Sequence, residues 1–71
     1  MLSFRVTESG TEVQIYCDAV GMATLMEALI TLAGGTESHI HLRRSNGLNE
    51  ETPWGEDAAK EVMINYNKGT D

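Results

Sequence analysis

The stretch from Leu2 to Cys17, LSFRVTESGTEVQIYC, does most to narrow what the chain can fold into. Apolar Leu2, Phe4 and Val6 alternate with Ser3, Arg5 and Thr7, and Val13, Ile15 and Cys17 repeat the pattern after a break. That is the period of strands with one buried face. Ser9-Gly10 lies between them and suits a two-residue hairpin, because glycine tolerates the positive φ such turns demand. With that loop, Glu8 faces Thr11, Val6 faces Val13, Phe4 faces Ile15 and Leu2 faces Cys17. Every apolar residue then meets another, and a slip of one residue would turn a whole apolar set to solvent.

Asp18 follows at once as a helix cap, its carboxylate aimed at the free amides of the first turn. The segment DAVGMATLMEALITLA reads as the helix, with Gly34-Gly35 as its stop. Met22, Leu25, Leu29 and Leu32 share one face, the expected core face, and Gly21 is its weak position. A second stripe, Ala19, Ala23, Met26 and Ile30, widens the apolar arc and leaves only Thr24, Glu27 and Thr31 as a polar edge. Such an arc fits a helix sunk deeply against a curved sheet, or one whose Met26 and Ile30 border a homodimer contact or a partner groove.

Residues 38–44 read as a third strand, with Ile40 and Leu42 inward and His39, His41 and Arg43 outward. A fourth is expected over Glu61 to Asn67, with Val62, Ile64 and Tyr66 inward. The run GEDAAKEVMINY also satisfies a helical template, Glu56 preceding Lys60 by four. A short helical turn at Glu56 to Ala59 leading into a strand is favoured, because Val62, Ile64 and Tyr66 suit a pleated surface. Ile40 would then pair with Ile64 and Leu42 with Val62. The sum is a single α+β domain over residues 1–71, β-β-α-β-β, its helix on one face of a four-stranded, mostly antiparallel sheet. A chain of 71 residues has no room for a second core, since a body this small buries only about 60% of its unfolded surface.

The remaining bounds come from charge and cysteine. Eleven acids against five Lys and Arg give a net charge of −6, with no basic stripe to track a phosphate backbone, so nucleic acid is not the expected partner. Cys17 is the only cysteine, which excludes an internal disulfide and suits a reducing cytoplasm. Neither a signal peptide nor a membrane span is expected from the apolar runs.

For chemistry, His39-x-His41 would leave one strand face about 6–7 Å apart, a spacing that suits two ligands of one zinc. A third ligand is wanting, because Cys17 has inward parity and Glu8, Glu12 or a loop acid would serve only by fortunate geometry. Solvent-facing histidines on a polar sheet face are the favoured reading, and no cofactor is expected. Ser38 and His39, as neighbours on a strand, would face opposite ways and so make no nucleophile and base pair. Gly34-Gly35 ends a helix where a phosphate cradle would begin one, and Asn46-Gly47 reads as a turn.

The longest irregular piece, Ser45 to Gly55, exceeds a usual hairpin loop and invites a functional reading. From Asn49 to Glu61 the chain sets Glu50, Glu51, Glu56, Asp57 and Glu61 against the single Lys60, with Pro53-Trp54-Gly55 in the middle. Trp54 reads either as a lid on the sheet edge or as an aromatic anchor inside an acidic rim.

The segment SHIHLRRSNGLNEETPWGEDAAKEVMIN resembles the immunity protein 32 family of bacterial polymorphic toxin systems. The likeness rests on His39, Ile40, His41 and Leu42, on Gly47 and Leu48, on Thr52 to Gly55, and on Val62, Ile64 and Asn65, which covers about the C-terminal half. It implies a cytoplasmic protein that binds a cognate toxin, often a nuclease, and blocks it; it brings no catalytic residues. An acidic inhibitor suits a basic toxin, because a negative rim speeds association and occupies the substrate's own site. The expected partner patch is Glu50, Glu51, Trp54, Glu56 and Asp57, with outward His39 and His41. The alternative is a small metal-binding or self-associating domain using the His39/His41 face.

Overall fold

The computed structural model describes residues 1–35 and 37–67. In chain order it has strand β1 (Leu2–Val6), strand β2 (Val13–Cys17), helix α1 (Ala19–Ala33), strand β3 (His39–Leu42) and strand β4 (Val62–Asn65). Short 3-10 turns, Arg44–Asn46 and Gly55–Asp57, sit in the long connection between β3 and β4. The class is α+β, in the expected element order. No helix among the described residues is long and apolar enough to cross a membrane.

β1 and β2 pair antiparallel with Leu2 opposite Cys17, Phe4 opposite Ile15 and Val6 opposite Val13, the register that apolar matching predicts. The turn is longer than two residues. Thr7 N donates to Glu12 O at 2.9 Å and Gly10 N to Thr7 O at 2.8 Å, so the loop runs from Glu8 to Thr11. A type I′ turn needs positive φ at both central residues and II′ needs it at the first. Gly10 supplies φ 73°, but no non-glycine residue among those described has positive φ, so Ser9 cannot play either part.

β3 and β4 pair as expected, Ile40 opposite Ile64 and Leu42 opposite Val62. They form their own two-stranded sheet, and the single four-stranded sheet is not what the chain builds. The reason lies at the free edge of β1. Its Leu2 carbonyl accepts from Asn49 N at 2.7 Å and its Phe4 carbonyl from Ala59 N at 2.8 Å. Loop residues thus occupy this edge of β1 and keep β3 and β4 from pairing there. Tyr66, expected inward, lies beyond β4 and is exposed.

α1 is capped by Asp18, whose Oδ1 accepts from Gly21 N at 2.9 Å and also meets the Met1 amine at 2.5 Å. Those donors, the amine first, hold the Asp18 carboxyl below its ordinary value. At the other end Gly35, with φ 88°, donates to Leu32 O at 3.1 Å and stops the helix. The helix packs on the inner faces of both sheets. Leu2, Phe4, Ala28, Leu42 and Leu48 form the core cluster, with Leu25, Ile40, Val62 and Ile64 against it.

The helix is turned relative to the expected core face. Its buried positions are Gly21, Ala28 and Leu32, whereas Met22 and Leu29 are about half exposed. A Cβ on Gly21 would run into the Met1 carbonyl and lie 3.0 Å from Leu2 N. The apparent weak position is therefore where helix and strand approach most closely, and the small residues Gly21 and Ala28 decide which way the helix faces. On the hairpin, Val6, Val13 and Ile15 share the inward parity of Leu2, Phe4 and Cys17 yet remain exposed.

Candidate functional site

The long connection is built inward from both ends. Leu48 and Ala58 are buried in the core, and Asn49 and Ala59 are tied by backbone to β1. Within it, Asn49 Oδ1 accepts from Thr52 N at 2.9 Å and Glu51 N at 3.1 Å, folding the start of the acidic stretch into a tight turn. The Thr52-Pro53 peptide is cis, and Gly55 N donates to Glu51 O.

Trp54 is half-buried. Its ring meets Tyr16 edge to face, centroids 6.3 Å apart, and the Arg5 guanidinium lies 5.2 Å from the ring centroid, in cation–π range. Arg5 is itself oriented by Nε donating to Gln14 Oε1 at 2.6 Å. Arg5, Gln14 and Tyr16 all sit on the hairpin face away from the helix, so the connection wraps around β1 and lays its tryptophan on that outer face. Ser3 on the same face is fully buried, contrary to its outward reading, and its hydroxyl has no hydrogen-bond partner among the described residues.

The acids of the expected patch divide. Glu50, Glu51 and Glu56 line one open cleft of about 340 Å³ with Gly55 and Lys60. Glu50 is the most covered of them, its Oε1 3.4 Å from Arg44 Nη2. Asp57 instead borders a separate cleft with Arg5, Val6, Thr7 and Glu8.

His39 and His41 belong to the outer face of the β3–β4 sheet, their rings 5.1 Å apart and nearly perpendicular. His41 Nδ1 lies 2.5 Å from Glu61 Oε2, and Arg43 reaches the same oxygen, Nη2 at 2.9 Å and Nε at 3.0 Å. The Arg43 guanidinium, then the His41 ring, hold the Glu61 carboxyl below the ordinary glutamate range. His41 thus joins Arg43 around Glu61, with the His39 ring set against it. Among the described residues no three His, Cys, Asp or Glu side chains are grouped so as to hold a metal ion. Ser38, lying just before β3, escapes strand alternation, and its Oγ comes within 3.4 Å of His39 Nδ1. That is longer than the roughly 2.6–3.2 Å of an engaged nucleophile and base.

Several residues that organise the site had no reading of their own in sequence. Arg5 and Tyr16 were legible only as outward strand positions; the signal available was that a half-wrapped tryptophan needs such partners. Asn46, read as half of a turn, bridges the β3 exit: its Oδ1 accepts from Arg43 N at 2.6 Å and its Nδ2 donates to the His41 carbonyl at 2.8 Å. No family model matches the chain, and neither a curated protein nor a solved structure matches it. The likeness to immunity protein 32 rests on its motif residues alone.

Proposed function

We propose that the chain is a non-catalytic protein-binding domain that neutralises a basic toxin, a nuclease being the class best suited, by direct binding. The observation that carries this reading is the cleft lined by Glu50, Glu51 and Glu56, set on a connection that is fastened to β1 at Asn49 and Ala59. A fastened loop presents its charges with little ordering left to do on binding, which favours affinity. A net charge of −6 adds long-range attraction for a partner that must itself be positive to hold nucleic acid.

Within this reading Glu51 and Glu56, both exposed, are the principal contacts. Asp57 borders a separate cleft and His39 and His41 belong to the β3–β4 sheet, so these three are outlying members of the proposed patch. Trp54 acts mainly by holding the loop on Arg5 and Tyr16. A cytoplasmic site of action accords with the unpaired thiol of Cys17. The test is growth rescue of cells expressing a basic nuclease toxin taken from the genes that neighbour the one for this chain. Glu51→Lys with Glu56→Lys should abolish rescue and the salt sensitivity of binding, whereas Glu27→Lys, on the helix edge beside β3, should not. Full protection by the double variant would move the contact elsewhere.

A further inference from the structure

We infer that the chain forms a two-fold homodimer, in which β2 pairs antiparallel with β2 of a second copy about Ile15 and the exposed flank of α1 closes over the seam. This surface is separate from the acidic cleft and does not depend on its function.

The first observation is the open edge of β2. Thr7 N donates to Glu12 O, and Asp18 N donates to Met1 O at 3.1 Å, so in the antiparallel ladder the even residues of β2 point their backbone groups at β1. The N–H and C=O groups of Val13, Ile15 and Cys17 therefore point away, and no described residue pairs with them. β1 has its equivalent edge occupied by Asn49 and Ala59. β2 has the sequence VQIYC, with no charge, no proline and no bulge, although monomeric proteins usually blunt such an edge with one of these.

The second observation is the helix. Met22, Met26, Leu29 and Ile30 are 47–66% exposed and lie on one uninterrupted apolar flank of α1. The polar edge of the helix, Thr24, Glu27 and Thr31, faces the cleft beside β3. The apolar flank lies away from that cleft, and exposed Val13 and Ile15 point their side chains to the helix-facing side of the hairpin.

A second copy suits this surface for two reasons. An isologous contact needs a patch complementary to itself. Pairing about Ile15 sets Ile15 against Ile15 and Val13 against Cys17 of the second copy, and all of their outward backbone groups find partners. The surface is also uncharged: neither VQIYC nor Met22, Met26, Leu29 and Ile30 carries a charge, so two copies meet here without opposing like charges although each carries −6.

The test is sedimentation equilibrium of the full chain at about 100 µM, where a micromolar Kd gives mostly dimer. Twice the mass of the chain is expected, with association tightening as salt rises, because two copies of charge −6 repel at long range. Ile15→Lys and Met26→Lys should each weaken association at least about tenfold while circular dichroism stays unchanged, since both side chains are more than half exposed in the single copy. Independently, Val13→Cys should give a covalent dimer through Cys17 on oxidation, because hydrogen-bonded antiparallel partners lie about 5.5 Å apart at Cα, within disulfide reach. A wild-type monomer at that concentration would overturn the inference and leave the surface to a different partner. So would association untouched by both lysines, or a Val13→Cys variant that does not cross-link.

Discussion

Gly21→Ala separates helix propensity from packing because the two give opposite signs. In an exposed helix interior, glycine to alanine gains about 1 kcal/mol. Gly21 is buried, and the added methyl would collide with the Met1 carbonyl and press on Leu2 N at 3.0 Å. Both obstacles are backbone, so no side chain can swing aside. Lifting the helix off β1 carries the usual overpacking penalty of about 1–3 kcal/mol. Moving Met1 instead gives up its hydrogen bond from Asp18 N, worth about 1 kcal/mol. Lifting the helix also loosens Leu25 and Ala28 from Leu2 and Phe4. We expect the propensity gain to be cancelled and a net loss of up to about 2 kcal/mol to remain, against the roughly 4–10 kcal/mol typical of a chain this long. Urea denaturation followed by Trp54 fluorescence measures it directly. A variant stabilised by the full propensity gain would refute the close approach and the helix orientation that depends on it.

Three further outcomes follow from the same packing and charges. Leu42→Ala, at a core position 2% exposed, should lose about 2–5 kcal/mol by denaturant titration and leave a fraction of the protein unfolded at 37 °C. Gly47→Ala should destabilise by about 1–2 kcal/mol, because Gly47 has φ 115° and a Cβ there lies 2.9 Å from Thr24 Cγ2; adding Thr24→Ala should recover only the steric share. Glu61 has a lowered carboxyl pKa in the fold, so its contribution is present above the ordinary glutamate value of 4.5 and is lost as pH falls through the folded value. The stability gap between the wild type and Glu61→Gln, read by urea titration, should therefore be open near neutral pH, close in acid, and narrow with added salt.

What the sequence disclosed and what it hid follow one division. Pairing is legible where period-two patterns on both strands constrain each other, as for Phe4 with Ile15 and Ile40 with Ile64. The rotation of α1 was not legible, because apolar residues occupy most of its circumference and the deciding residues, Gly21 and Ala28, are conspicuous only by being small. Of the two readings of the wide arc, a helix sunk deeply against a sheet is not what the chain builds, since Met26 and Ile30 are more than half exposed: an apolar arc records what can be buried, and the chain alone buries less of it. The tryptophan site was half legible. Trp54 marked the loop, but its partners Arg5 and Tyr16 come from a distant hairpin that no local pattern links to it. The acidic trio was legible as composition, while the separation of Asp57 into another cleft needed the fold.

The small core and the bare helix flank are two sides of one constraint. Only five large apolar side chains are buried among the described residues, Leu2, Phe4, Leu32, Leu42 and Leu48. Domains of this size usually need a disulfide, a metal or a second subunit to reach ordinary stability. Cys17 is unpaired, and the histidines are engaged with each other and with Glu61. Of the three aids, the second subunit is the one for which the chain carries a prepared surface, in the β2 edge and the flank from Met22 to Ile30. Folding and association are then linked, so apparent stability rises with protein concentration. The same two-fold doubles the acidic cleft, and two copies of charge −6 attract a positive partner more strongly than one. On these two proposals stability and recognition draw on different chemistry in the same short chain: uncharged surface for a second copy, and acids set on a fastened loop for a basic partner.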